Sequence, residues 1–217
     1  KTGVWPISLE IAGARLSLNQ DGSVQLQVGA TEIGQGADTV FSQMAAETLH
    51  MDISRVHIVT QQDTDVTPFD TGAYASRQSF VTGTAVKECA QQLKQKILEY
   101  ARTLVPGNVD RLELEDGYIL ADGKPAISLE DLAMESYYSL SNSSVLTAEV
   151  SRQVKKNTVA SGCCFAEVEV DMKLGKIKVL DIVNVHDSGT LLNPQLAAMQ
   201  VHGGMFMGIG YGVSEQL

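Results

Sequence analysis

The sequence is poor in positive charge, in cysteine and in long apolar runs, and each shortage sets aside a class of protein. Sixteen lysines and arginines stand against 26 aspartates and glutamates, a formal net charge of -10. A general nucleic-acid binder carries a basic patch, so that class is excluded. A small anionic ligand is not excluded, because helix ends and backbone amides act locally whatever the overall sign. The three cysteines, Cys89, Cys163 and Cys164, form no CxxC pair and make no zinc quartet. Cys163 and Cys164, adjacent on a strand, would point to opposite faces. Buried thiols in a reducing compartment are the expectation. No apolar run reaches the roughly 18 residues of a membrane span. The opening "KTGVWPISLEIAG" does not resemble a signal peptide and begins in mid-pattern, as though cut from a longer chain. A cytoplasmic location is the default that follows.

What is present is an ordinary globular composition. At 217 residues the chain suits one large domain or two small ones, and it can bury a core without a disulfide or metal staple. "ARLSLNQDGSVQLQVGA" reads as strand, turn and strand, with Leu16, Leu18, Val24, Leu26 and Val28 inward. From Asp38 to His50 the spacing becomes helical through Val40, Phe41, Met44, Ala45 and Leu49. "SRVHIVT" then alternates as a strand. A long amphipathic helix is predicted from about Phe80 to Leu104, with Val86, Ala90, Leu93, Ile97 and Ala101 inward and Pro106-Gly107 as its stop. A short hairpin follows around Asp116-Gly117, then a helix over "SLEDLAMESYY" with Ser128 and Asp131 at capping-box spacing. "SLSNSSVLTAEVSRQVKKNT" reads as a flexible or variable connection. A second hairpin turns at Lys173-Leu174-Gly175, and a glycine-rich helix runs from about Asn193 to Gly212. Hairpins with interspersed helices, rather than alternating βαβ units, predict an α+β fold with mixed or antiparallel sheets and several packed helices. Subdomains over residues 1–145 and 146–217 are the expected division.

Three segments carry candidate chemistry. In "GATEIGQGADTVFSQMAAETL" the chain ends an extended run on Gly34-Gln35-Gly36 and starts a helix. Glycines open conformations closed to other residues and let a ligand approach the main chain. Asp38 or Thr39 could cap the helix, whose free N–H groups suit an anion. Gln35 adds an amide that donates and accepts, as a ring with mixed donors and acceptors demands. A plain strand-to-helix turn with a solvent-facing Gln35 is the simpler alternative. The second segment, "FDTGAYASRQSFVTGTAV", offers small residues at Gly72, Ala73, Ala75 and Ser76. Ser76, Arg77 and Gln78 then supply hydroxyl, guanidinium and amide, a set suited to phosphate. It is not a P-loop, since GxxxxGK[ST] is absent, and a polar loop capping the next helix would look the same. The third, "NVHDSGTLLNPQLAAMQVHGGMFMGIGYG", places Gly203, Gly204, Gly208, Gly210 and Gly212 in a helix at about 1 kcal/mol each against alanine. That density suggests close packing against another backbone or a bulky cofactor, with Gln200 near the glycine face. His186-Asp187-Ser188 has the residue types of a hydrolase triad, but consecutive residues cannot adopt its geometry.

Taken together and in order, "TGVWPISLEIAGARL", "GATEIGQGADTVFSQ", "DTDVTPFD", "ASRQS", "NVHDSG" and "QVHGGMFMGIG" resemble the molybdenum-binding large subunit of the xanthine dehydrogenase/aldehyde oxidase family, in its bacterial xanthine dehydrogenase branch. The resemblance covers nearly the whole chain and is weakest at about residues 105 to 155. It implies a piece of a larger molybdopterin-binding domain, with the cofactor carried on a cytosine dinucleotide in many bacterial members. It places Gly34, Gln35 and Gly36 at pterin or phosphate contacts, and Ala75 where a backbone comes near molybdenum. Ser76, Arg77 and Gln78 fall at the pterin and its phosphate, and Gln200 at an amide contacting the pterin. No protein side chain ligates the metal in this family.

The family's large subunit continues well beyond both ends of this chain. The GGxFG-type segment and the substrate arginine are expected upstream, and the glutamate base downstream, so no catalytic residue is assigned here. Glu215 in "GVSEQL" is not taken as that base. Oxidative hydroxylation of xanthine or a related purine is implied, with iron–sulfur clusters and FAD on other subunits or domains; a relative acting on aldehydes or other N-heterocycles is one alternative. An oligomer is expected, without nucleic acid or membrane. A catalytically inactive interaction or assembly module is the alternative of a different class.

Overall fold

A computed structural model describes residues 10–156 and 158–215, so the opening of "TGVWPISLEIAGARL" lies outside the described residues. The chain separates into two compact units, 1–157 and 158–217.

The first unit is built on a four-stranded sheet. Strands β1 (Ile11–Leu18) and β2 (Val24–Val28) pair antiparallel with Leu16 opposite Leu26 and Ala14 opposite Val28. Their turn closes through Asn19 N–H to the Ser23 carbonyl at 2.8 Å, with Gly22 at a φ of 74°. Helix α1 (Ala37–Leu49) ends on His50, whose left-handed conformation returns backbone N–H groups to Ala46 and Glu47. A single 3-10 turn (Ile53–Arg55), capped by Asp52, leads into β3 (Val56–Ile58), which runs parallel to β2. The predicted strand over "SRVHIVT" is therefore only three residues of strand, because Asp52 draws the Ser54 amide into a turn at 2.8 Å.

The second helix, α2 (Val81–Leu104), packs on the sheet beside α1. Its predicted inner residues Val86, Ala90, Leu93, Ile97 and Ala101 are all buried, against Ala12, Ala14, Leu16 and Leu18 of β1 and Phe41, Ala45 and Leu49 of α1. Period-2 and period-3.6 stripes thus meet in one core. Strands β4 (Leu112–Glu115), β5 (Tyr118–Ala121) and β6 (Lys124–Ser128) form a separate antiparallel meander. Helix α3 (Leu129–Tyr138) follows directly, its first turn fixed by Ser128 Oγ accepting from the Asp131 amide at 3.0 Å.

The segment expected to be a flexible connection contains strand β7 (Thr147–Gln153), which pairs antiparallel with β1 from Ser17–Thr147 to Ile11–Gln153. Its Ala148 and Val150 are buried, as is Leu146 just ahead of it, and Cys89 Sγ–H donates to the Ala148 carbonyl at 3.2 Å. Burial pushes the Cys89 thiol up to about 11. Because β7 belongs to this sheet, the division falls at Asn157/Thr158 rather than at 145/146.

The second unit consists of the hairpin β8 (Ser161–Asp171) and β9 (Lys176–Asp187), followed by helix α4 (Pro194–Val213). The hairpin turns where expected, with Asp171 Oδ1 accepting from the amides of Lys173 and Leu174 and Gly175 at a φ of 62°. Asn193 caps α4 by accepting from the Leu196 amide at 3.0 Å, with Pro194 at its start. No residue of β8, β9 or α4 is buried. Cys163 and Cys164 are exposed, against the expectation of buried thiols, because no described residue of this unit buries β8. An added Cβ at Gly203, Gly204, Gly208 or Gly212 would meet nothing within 4 Å. The close packing expected of those glycines is not made among the described residues. None of their helices is long and apolar enough to cross a membrane.

Gly29, which ends β2, lies so close to the loop ahead of α2 that an added Cβ would stand 2.1 Å from the Pro68 carbonyl oxygen and 2.9 Å from the Asp70 amide nitrogen. Both obstacles are backbone, so relief requires moving the loop. Gly29→Ala is expected to destabilise the first unit by about 1–3 kcal/mol, read as a lower urea midpoint at unchanged slope; an unchanged midpoint would contradict this packing.

Candidate functional site

The first loop, residues 31–36, is organised by Glu32. Its Oε1 accepts from the amides of Gly34 at 2.7 Å and Gly36 at 3.0 Å, and its Oε2 from that of Asp38 at 3.1 Å. Gly34 and Gly36 adopt φ of 98° and 83°, conformations open to glycine and strained for other residues. Burial opposes ionisation of Glu32, but the bonds from Gly36, Asp38, Gly34 and Ala37 outweigh it and hold the carboxyl below its usual range. The start of α1 is therefore already served by an anion from the chain itself. Neither Asp38 nor Thr39 is the cap; Gly36 occupies that position and has no side chain to offer. Burial and the nearby Glu32 charge raise the Asp38 carboxyl instead.

Gln35 does not face solvent as a free amide. Its Oε1 accepts from the Ile33 amide at 2.6 Å, and its Nε2 donates to the Thr31 carbonyl at 2.9 Å and to Gln78 Oε1 at 2.5 Å. Gln78 Nε2 also donates to the Thr31 carbonyl, at 3.2 Å. Two loops 43 residues apart in sequence are joined by this amide pair. Both donor hydrogens of Gln35 are committed, which leaves acceptor capacity on its oxygen and one N–H on Gln78.

The second loop turns through Ala75 and Ser76, both left-handed at φ of 48° and 55°. Non-glycine residues in that region cost on the order of 1–3 kcal/mol each and persist only where surroundings enforce them. The enforcing group is Arg77. Its side chain is fully buried, with Nε on Glu10 at 3.1 Å, Nη1 on Asp70 and on the Gly72 carbonyl at 2.8 Å, and Nη2 on the Ile11 carbonyl at 2.7 Å. Asp70 is further bound by the Thr82 hydroxyl at 2.7 Å. The Tyr74 ring covers the guanidinium with its centroid 5.4 Å from Cζ.

The structure thus brings Gln35 and Gln78 together, next to exposed Ala75 and Ser76. It turns the Arg77 guanidinium inward, so that its four bonds serve the fold. Gln200 lies on the second unit, exposed on α4. Glu32, Asp70 and Glu10 were missed by sequence reasoning. Glu32 had a local signal, a carboxylate two residues before a Gly-x-Gly turn; Asp70 lies seven residues before Arg77, whereas Glu10 comes from 67 residues away and had no local signal. Two shallow hollows are found elsewhere, one between the β1–β2 turn and Tyr137, the other between the end of α2 and α3; neither touches these loops. His186 pairs across the hairpin with Gly162, and Asp187 accepts from the Gly189 amide as part of a turn.

Arg77→Lys keeps the charge but cannot reach two carboxylates and two carbonyls from one ammonium. It is expected to cost about 3–5 kcal/mol, as for a buried ion pair that loses one partner, and to speed amide hydrogen exchange across residues 70–78. Wild-type stability and exchange in Arg77→Lys would remove the guanidinium from its role here.

A family model described as the molybdopterin cofactor-binding domain matches residues 2–217. Over 100% of its length the chain is 49% identical to the putative xanthine dehydrogenase molybdenum-binding subunit XdhA of Escherichia coli, covering 29% of that protein. It is 31% identical to the probable hypoxanthine oxidase XdhD of the same organism, again over 100% of this chain and 22% of the relative. Among solved structures it is similar to quinoline 2-oxidoreductase from Pseudomonas putida, with a TM-score of 0.77 and 25% identity over 89% of this chain and 25% of that one. The same TM-score of 0.77, at 27% identity over 89% of this chain and 24% of the other, relates it to carbon monoxide dehydrogenase from Oligotropha carboxidovorans. The chain spans less than a third of the length of these relatives. With a match running from residue 2 to residue 217, the chain belongs to the molybdopterin cofactor-binding domain family.

Proposed function

We propose that the chain is the cofactor-holding section of a molybdenum hydroxylase acting on xanthine or a related purine. The observation that carries this reading is the Gln35–Gln78 amide pair beside two small, exposed, left-handed residues. A flat heterocycle with a phosphate needs a low rim, main chain within reach, and mixed donors and acceptors held still. Ala75 and Ser76 provide the rim and the exposed backbone, and the Ser76 hydroxyl is at the surface. Gln78 contributes a fixed N–H and Gln35 a fixed carbonyl oxygen. The donor set fits molybdopterin, and Ala75 is the residue whose backbone would lie near the metal.

When bound, molybdopterin supplies the molybdenum chemistry that hydroxylates an electron-poor carbon with oxygen from water, its electrons leaving through iron–sulfur clusters and FAD on other subunits or domains. The residues of this chain bind and orient. Arg77 holds Ala75 and Ser76 in their strained turn, and the amide pair sets the spacing between the two loops. Gln200 is proposed as a further amide contact from α4. The general base and the substrate arginine are assigned to parts of the protein beyond this chain.

Purine as substrate class rests on the relatives. The 49% and 31% identical proteins are named for xanthine and hypoxanthine, whereas those named for nicotine, carbon monoxide and aldehydes match at 26–28%. The cytosine-dinucleotide form of the cofactor is part of the same proposal.

In the full-length protein that contains this chain, about one molybdenum per chain is expected, with a pterin and cytidine phosphate released on denaturation. Ala75→Phe should lower retained molybdenum at least tenfold. Because Ala75 is exposed, the change in stability should stay within about 0.5 kcal/mol. A well-folded, metal-free wild type, or an Ala75→Phe protein with full molybdenum content, would contradict the reading.

A further inference from the structure

The reading above gives work to Gln35, Gln78, Ala75, Ser76 and Arg77 and leaves Glu32 unused. Glu32 nonetheless takes as many hydrogen bonds as Gln35, all of them from the main chain. One carboxylate takes the amides of Gly34, Gly36 and Asp38. Two of those amides flank Gln35 on either side, so the main chain around Gln35 is wrapped on Glu32. The Gln35 side chain is tied separately, to the Ile33 amide, the Thr31 carbonyl and Gln78.

A helix start needs far less than this. A serine or threonine at the cap would satisfy one amide and would place no second carboxylate beside Asp38. Here the like charge is kept: Asp38 has a buried Oδ1 without a hydrogen-bond partner, and Glu32 is among the groups that disfavour its ionisation. The arrangement is costly as a cap, yet it holds the Ile33–Gly34 and Gln35–Gly36 peptides around Gln35. Its geometric product is the direction of the Gln35 amide toward Gln78.

We infer that Glu32 is a positioning residue for the cofactor: it aligns Gln35, and through it Gln78, so that the amide pair is already set when the pterin arrives. The inference rests on the cofactor reading above. Both carboxylate oxygens are committed to main-chain amides of the loop, so its loss should act on cofactor retention through Gln35.

The test uses the full-length, cofactor-loaded protein and its Glu32→Ala, Glu32→Gln and Glu32→Asp variants. Molybdenum per chain, the rate of pterin loss and hydrogen exchange of residues 33–38 are measured, with thermal unfolding alongside. Glu32→Ala should exchange at least tenfold faster over 33–38 and lose pterin at least tenfold faster, with little change in unfolding temperature. Glu32→Gln keeps one oxygen for the Gly34 and Gly36 amides and should restore most of the retention. Glu32→Asp, one methylene short, should not.

Faster exchange with undiminished molybdenum in Glu32→Ala would overturn the inference. So would equal behaviour of the Gln and Asp variants, which remains decisive if the alanine protein fails to fold. A lowered unfolding temperature without faster pterin loss would reduce Glu32 to a structural cap and overturn it as well. A wild type without molybdenum overturns the cofactor reading and this inference with it, whereas a loaded wild type beside an equally loaded Glu32→Ala overturns this inference alone.

Discussion

A buried arginine organises the loops of this chain. Arg77 is removed from water completely, which is tolerable only because its charge meets Glu10 and Asp70 and four of its five donors find acceptors. Those acceptors come from two places: the start of β1, through Glu10 and the Ile11 carbonyl, and the loop at 70–72. The guanidinium therefore clamps the Ala75–Ser76 turn to the most rigid part of the first unit. Without that clamp, two non-glycine residues at positive φ would relax. The cofactor reading depends on their not relaxing, because a low rim of exposed main chain is what a flat ring can approach.

The two units differ in how far they are finished. The first has an uninterrupted core from the sheet through α2 and α1 to the meander. The second buries nothing along β8, β9 or α4. Along the hairpin Phe165 stands opposite Val183 and Val170 opposite Ile177, all exposed, a pattern that needs a cover. A helix apolar all round, such as α4, is a helix made to be surrounded. The first unit can thus be reasoned about by itself, while Gln200 and the glycines of α4 take their meaning from what surrounds them.

Much of the fold was legible in the sequence because its signals are local and periodic. The α2 stripe from Val86 to Ala101, the β1–β2 hairpin and the Ser128–Asp131 cap each follow from spacing alone. Strand β7 was hidden, since Ala148 and Val150 alternate with Thr147, Glu149 and Ser151 over a short stretch and their partner strand lies about 130 residues earlier. The site was legible as residue types and not as roles. Arg77 next to Ser76 reads as an anion contact until Glu10 and Asp70 are brought to it from elsewhere. Gln35 reads as a free amide until Gln78 meets it, and the open helix start at Gly36 reads as an anion site until Glu32 folds back to fill it. Glu10 and Gln78 act from 67 and 43 residues away, where spacing gives no sign of them, whereas Glu32 acts by a backward contact within its own loop.

The most direct measurement is an experimental structure of the full-length protein with its cofactor bound. The account predicts an Arg77 guanidinium still enclosed by Glu10 and Asp70, Ala75 and Ser76 still left-handed, and the pterin within hydrogen-bonding distance of Ser76 and the Gln35–Gln78 pair. An Arg77 side chain swung outward onto the cofactor phosphate, with Ala75 and Ser76 in ordinary backbone conformations, would contradict it.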